Sequence, residues 1–570
     1  MKKVLNHCSG PFLFTICLQG FNFMEKILEY FLCHELFPRK DENMKKLIAL
    51  ILPLALLLSA CGNAPAAGTP TPMTPALSNV TDIHLSDAAV LVNGEVAAME
   101  DGNAVYTAHD IIYYEDGKDF TYGEGTEKDA HSAEEAKEHL VVHITQPGAY
   151  SISGSLSQGQ IAVDLGEEAE EDPNAVVTLV LDGVDINCDV APAIIFYNVY
   201  ECDAEQNSGK DVDTSAAGAN VIIADGTENT VRGSYVARIY KPDSVVLNEN
   251  GTEVEDAKKL HKYDGAFYSK MSMNIFGGES GNGVLNIVAD NEGLDSEMHL
   301  TVNGGQVFIR SGNDGINTNE DGVSVTTVNG GTLDILVTGE TGEGDGIDSN
   351  GWLVINGGSV KAEACSSSAD AGIDSDMGIH INGGTVIATG HMLDRIEEGG
   401  QSYAVFNFAQ KQKEGTTFSI KDGSGKTLME DRAENAYSVL VFSSGKMSEG
   451  NHTIWSNGKQ LSAQSGGIGG FGGPNMGFGG DREAPPEMPE GFSPENMPEV
   501  PEGEIPQAPQ GERPEAMPEF PDDASRPEMP EGIDKPMDRP GFGGSPAGEA
   551  VTELSFVKGG NMFYGVQTAE

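Results

Sequence analysis

The sequence predicts an all-β fold, a parallel β-helix with a small β C-terminal cap. Three observations predict it. Asn-Gly-Gly stands at 303–305, 329–331, 356–358 and 382–384, at spacings of 26, 27 and 26 residues. A second motif precedes each triplet in register: Gly293-Leu294-Asp295-Ser296, Gly315-Ile316-Asn317-Thr318, Gly346-Ile347-Asp348-Ser349 and Gly372-Ile373-Asp374-Ser375. The segments between motifs, such as 352–355, 359–362 and 385–388, are short and β-rich, with no room for a helix of ~10–12 residues. Short strands, glycine corners and a period of 20–30 residues specify stacked β coils. Leucine-rich and propeller repeats lack their signatures here.

Along the chain, residues 1–43 show no periodicity and read as an N-terminal extension ahead of the true start at Met44. Residues 44–60 form a lipoprotein signal peptide: Lys45 and Lys46, an apolar run over 47–58, then Leu58-Ser59-Ala60-Cys61. The apolar run is shorter than the ~20 residues of a comfortable membrane span. The tetrapeptide resembles a bacterial lipobox, which implies cleavage before Cys61 and a lipid on its thiol. An extracellular, membrane-anchored protein follows. Residues 61–80 are an Ala/Pro/Thr-rich stalk, and 81–137 lead into the repeat domain of 138–395. Cys188, Cys202 and Cys365 match no zinc spacing; a Cys188–Cys202 pair stays open, whereas a disulfide-stapled fold is excluded.

Within the repeats, alternation assigns three inward columns: Leu294, Ile316, Ile347 and Ile373; Val302, Val328, Ile355 and Ile381; Val307, Leu333, Val360 and Val386. A degenerate fifth copy begins at Gly265-Ala266-Phe267. The neighbours of the first column face outward. Asp295, Asn317, Asp348 and Asp374 form one oxygen-bearing column, and Glu297, Asn319, Asn350 and Asp376 form the next. Coils stack ~4.8 Å apart, a distance at which carboxylates repel. A Ca²⁺ ion, bound by oxygens at ~2.3–2.6 Å, fits between them. Asp264, Glu292, Asp314 and Asp345 precede the glycines and extend the donor set, with Ala371 breaking that column. Calcium is therefore the expected cofactor; a solvated Asp/Asn ladder is the alternative. Zinc finds neither His nor Cys in the grid.

Composition agrees with a cation-binding face. Lys and Arg number 34 against 88 Asp and Glu, a net charge of −54. This nearly excludes nucleic acid as a partner. The Pro-rich stretch 481–550 holds 18 acidic and 5 basic residues, so it explains only −13 of the total. Residues 261–390 hold 18 acidic and 4 basic residues, and several of the acids fall in the columns.

Further motifs carry a resemblance. Gly148-Ala149-Tyr150-Ser151-Ile152-Ser153-Gly154, Leu179-Val180-Leu181-Asp182-Gly183-Val184-Asp185-Ile186 and Ala224-Asp225-Gly226-Thr227-Glu228-Asn229-Thr230, together with the glycine repeats, resemble the bacterial extracellular carbohydrate-binding domain-containing lipoproteins. The resemblance covers about 138–390. It implies a right-handed, polysaccharide-lyase-like parallel β-helix, calcium in the coils, and binding of cellulose or acidic pectin-like chains. The family often carries Lys after the Gly-Ile step; here Glu297, Asn319, Asn350 and Asp376 stand nearby, which leaves direct cationic contact with uronates unsupported.

A lyase needs a cationic base beside the metal. Arg310, following a strand and placed near the Asp314/Asn317 coil, is the weak catalytic candidate, with a surface salt bridge as its other reading. A binder needs less, and Trp352 is the candidate sugar platform, otherwise packing beneath a loop. The expected function is a cell-surface lipoprotein binding plant cell-wall polysaccharide; a calcium-dependent uronate lyase and a structural or adhesive surface protein are the alternatives. Oligomeric state is not encoded legibly. Residues 396–464 read as a β-rich cap and 551–570 as a returning strand. Residues 465–550, with 16 of the 28 prolines in 481–550, are too poor in apolar residues to order.

Overall fold

A computed structural model describes residues 74–75, 77–206, 209–466 and 549–569. These lie in one compact unit, Thr69–Glu570. The signal peptide, Cys61 and most of the Pro-rich segment lie outside the described residues. The fold is nearly all β, built from a 25-stranded mixed sheet, an eight-stranded sheet and a two-stranded hairpin. Among the described residues the one α-helix is Ala133–Glu138, capped by Ser132, whose hydroxyl accepts from the Glu135 amide.

Each repeat contributes three short strands to three parallel ladders, except the last, which contributes only Gly378–Ile381 and Thr385–Gly390. Glu292–Ser296 is followed by Leu300–Val302 and Gln306–Ser311, and the chain returns to the first ladder at Ile316–Thr318. The predicted columns pair residue for residue, except that Ile373 is buried but lies in no strand. Leu294 opposes Ile316, which opposes Ile347. Val302, Val328, Ile355 and Ile381 align, as do Val307, Leu333, Val360 and Val386. The degenerate copy joins them through Phe267 opposite Leu294. All are buried, and all but Val302 belong to one continuous apolar core. Parallel pairing also extends upstream, where Thr81–Leu85 lies beside Gly148–Leu156.

The Asn-Gly-Gly corner explains its own recurrence. Gly331 has φ +83°, and a Cβ there would sit 2.5 Å from the Gly305 carbonyl oxygen. The asparagines form a ladder: Asn329 Nδ2 donates to Asn303 Oδ1 at 2.9 Å, Asn356 to Asn329 at 2.9 Å, and Asn382 to Asn356 at 2.8 Å.

The parallel stack ends at Thr385–Gly390, on which Tyr437–Ser444 lies antiparallel. That strand begins a cap with its own core of Phe406, Phe418, Phe442, Phe556 and Phe563. The C-terminal strand Gly560–Thr568 pairs with Tyr403–Gln412 and Lys459–Gly466. The parallel-stack edge is thus covered rather than exposed. Cys188, Cys202 and Cys365 are free thiols, which closes the Cys188–Cys202 alternative.

Candidate functional site

The eight-stranded sheet positions the site. Its strands Gly265–Ser269, Glu292–Ser296, Ile316–Thr318 and Ile347–Ser349 are parallel and in register. Each begins at a glycine corner that lets the next repeat approach closely; a Cβ on Gly315 would lie 2.6 Å from the Gly346 carbonyl oxygen. Asp295, Asn317 and Asp348 therefore stack directly, and Asp374 follows through its amide on the Ile347 carbonyl. Glu297, Asn319, Asn350 and Asp376 stack two residues further on, their amides donating to Ser269, Ser296, Thr318 and Ser349. Asp264, Glu292, Asp314 and Asp345 make the corner column, joined by backbone bonds from Glu292 to Asp264, Gly293 to Asp314 and Gly315 to Asp345. All ten expected metal ligands thus fall on three adjacent columns.

Their exposure differs from expectation. Asp295 is 0% exposed, Glu292 6%, Asn317 8% and Asp314 9%. The outward columns do not face open solvent at this end. Covering groups come from the non-repeating segment before the degenerate copy: Arg238 holds Asp264 at 2.9 Å, and Lys262 approaches Glu297 at 3.5 Å. Tyr268, opposite Asp295, donates its hydroxyl to Glu297 at 3.0 Å. Asp376, at the far end, is exposed.

Part of the oxygen is satisfied internally. Asn317 Nδ2 donates to Glu292 Oε1 at 3.0 Å, and Asn319 Nδ2 to Asp295 Oδ1 at 2.6 Å. The Asp345 amide donates to Asp314 Oδ1 at 2.6 Å, and the Ala371 amide to Asp345 Oδ1 at 2.5 Å. Three buried oxygens have no partner: Glu292 Oε2, Asp295 Oδ2 and Asn317 Oδ1. They belong to two neighbouring repeats linked by the Asn317 and Asn319 amides. Among the described residues, no three His, Cys, Asp or Glu side chains converge as a closed cage. The carboxylates run along ladders instead.

Burial, reinforced by neighbouring acids, raises the pKa of these carboxyl groups. Asp348 is pushed up to about 7, Asp374 to about 8 and Asp345 to about 9, the last with Asp374 and Asp314 beside it. Asp314 rises to about 7 by burial despite the Asp345 amide. Glu292 and Asp295 rise well above the ordinary carboxylate range, again mainly by burial, then for Glu292 by Asp264 and Asp314 and for Asp295 by Glu292 and Glu297. An oxygen-only donor set with surplus negative charge suits a hard cation.

Two expectations are corrected. Arg310 lies inside the strand Gln306–Ser311, and its guanidinium is 3.5 Å from Glu434 of the cap; no contact joins it to Asp314 or Asn317. Trp352 begins a strand of the other sheet, because the chain turns at Asn350-Gly351; its ring lies 5.2 Å from that of His380. Sequence reasoning missed Tyr268 and Asp394. The first was readable as the residue after Phe267 in the degenerate copy. The second comes from the loop after the last repeat, where it accepts from the Ser375 amide at 3.1 Å, and no periodicity marks it.

Residues 138–453 match the family described as carbohydrate-binding domain-containing protein. A relative of that description from Acetivibrio thermocellus is 31% identical over 172 residues, 30% of this chain and 45% of the relative; the chain thus spans about half of that relative's length. A solved structure of a polysaccharide lyase-like protein from C. thermocellum, a gadolinium derivative, aligns at 19% identity with a TM-score of 0.31, over 54% of this chain and 90% of the other.

Proposed function

The chain belongs to the carbohydrate-binding domain-containing protein family, and on that premise we propose that it is a cell-surface lipoprotein that binds plant cell-wall polysaccharide, cellulose or acidic pectin-like glycan. The binding domain is a right-handed parallel β-helix stabilised by calcium. The order in which the chain visits its three parallel ladders supports the helix, and parallel crossovers are right-handed in nearly all proteins. The lipobox ending at Cys61 supports the anchor.

The observation that carries the calcium reading is the set of unpartnered buried oxygens, Glu292 Oε2, Asp295 Oδ2 and Asn317 Oδ1. A buried carboxylate without a partner is costly, and a divalent cation relieves that cost. Glu292, Asp295 and Asn317 would hold the ion, with Asp264 and Asp314 adjacent; Asp345, Asp348 and Asp374 offer a second place. When bound, calcium supplies positive charge to the ladder and to acidic sugars. Asn319, Asn350 and Asp376 provide polar contacts for sugar hydroxyls along the more open margin.

Pull-down on insoluble cellulose and on pectin, with and without EDTA, tests the reading, with melting temperature recorded in both. Retention on at least one polymer and a calcium-dependent rise in melting temperature are expected. No retention under either condition overturns polysaccharide binding. An unchanged melting temperature overturns the calcium ladder. Rising ultraviolet absorbance on polygalacturonate would instead assign a lyase.

A further inference from the structure

The cap carries a second feature suited to sugars. Its strands Thr417–Asp422, Gly450–Ser456 and Lys459–Gly466 pair antiparallel, with Ser419 opposite Trp455 and Trp455 opposite Gln460. Alternation sends Phe418, Ile420, Ile454 and Leu461 into the cap core. Ser419, Lys421, Thr453, Trp455 and Gln460 occupy the other face and remain half-exposed. Trp455 is one of only two tryptophans in the chain and lies outside the family-matched residues.

The geometry around this ring is specific. Trp455 Nε1 donates to Thr453 Oγ1 at 2.9 Å, which draws the indole along its own strand. Lys421, opposite Thr453, places its ammonium 4.3 Å from the ring centroid. Among the described residues that amine makes no ion pair with a carboxylate; its partner is the ring. A cation outside any ion pair, held on an indole face, is locally complementary to an incoming anion, although Glu430 stands opposite Ser419 nearby. Indole faces stack on the C–H faces of sugar rings, and the nearby hydroxyls of Ser419 and Thr453 and the Gln460 amide oxygen suit sugar hydroxyls.

We propose that this face is a second carbohydrate-binding site, taking one uronate residue of an acidic oligosaccharide. The pyranose ring lies against Trp455, and its carboxylate meets the Lys421 ammonium, which leaves its weak contact on the ring to do so. The site uses no residue of the carboxylate columns and needs no calcium.

A Trp352→Phe variant of the full chain leaves Trp455 as the sole tryptophan, read by excitation at the red edge where the tyrosines do not absorb. Titration with a short oligogalacturonate in EDTA should give a saturable change in its emission. Cello-oligosaccharide should bind about tenfold more weakly, and adding Lys421→Met should weaken acidic binding by about tenfold at unchanged melting temperature. Lys421→Arg should retain it. No emission change in EDTA, a response only with calcium, or equal binding by the Lys421→Met variant overturns the proposal. Failure of the calcium ladder appears separately, in the melting temperature.

Discussion

Asn319 Nδ2 donates to Asp295 Oδ1 at 2.6 Å, while Asp295 Oδ2, on a residue with no exposed surface, has no partner. One oxygen of the carboxylate is held by the neighbouring repeat and the other is left for something else.

Replacing Asp295 with Asn tests what that something is. Without calcium, Asp295→Asn should stabilise the protein by about 1–3 kcal/mol, because a buried acid that must either stay charged or take up a proton on folding is exchanged for a neutral amide. With calcium the order should reverse, since the parent gains stability from the ion and the variant gains little. Thermal melts of both proteins in EDTA and in calcium measure this. Equal calcium responses would remove Asp295 from the site.

The glycine corners allow a paired test. Gly331→Ala meets both a φ of +83° and a carbonyl oxygen 2.5 Å from its new Cβ. Gly322→Ala has φ +70° but open space around it. The second should cost about 1 kcal/mol and the first at least twice as much. Denaturant midpoints of the two variants rank them, and equal losses would mean that stacking distance does not select the glycine.

His261 gives a pH dependence. Its ring is buried and stacked on Tyr263 at 4.1 Å, with neither nitrogen hydrogen-bonded, and burial, aided by Arg238, pushes its pKa down to about 4. The unfolded chain takes up a proton near the ordinary ~6.5 while the folded one does not. The stability it contributes is thus present above ~6.5 and is lost as pH falls towards 4, by at most about 3 kcal/mol. His261→Phe keeps the stacked ring and should melt with a shallower acid dependence between pH 7 and 4. Parallel curves would show that His261 is not the titrating group.

Ala463 and Val551 exchange backbone hydrogen bonds at 3.0 and 2.9 Å. The ends of the intervening Pro-rich segment therefore meet across an antiparallel β-bridge. Replacing residues 467–548 with a short Gly/Ser linker should leave the melting temperature within about 2 °C of the parent, as loop length costs little. A large drop in a calorimetric scan would show that the segment contributes to the cap.

The residue columns were legible because one period repeats and side chains alternate: Leu294, Ile316 and Ile347 differ in spacing yet pair as read. The burial of Asp295 was not legible. Arg238, Lys262 and Tyr268, which hold the neighbouring Asp264 and Glu297, lie outside the clear repeats. Trp352 lies on the other sheet for a related reason. Alternation carries along a strand but not round a corner, and Asn350-Gly351 is a corner.

The antiparallel strand Tyr437–Ser444 on Thr385–Gly390 also constrains how this protein can change size. A further parallel turn cannot be appended after the last one, because that edge is already bound. A gene duplication that lengthens the domain must insert its copy of about 26 residues internally, between existing turns. Each such insertion would add one strand spacing, ~4.8 Å, to the row of acidic positions while leaving the terminal surfaces intact. Relatives of different length should therefore share their ends and differ in the middle.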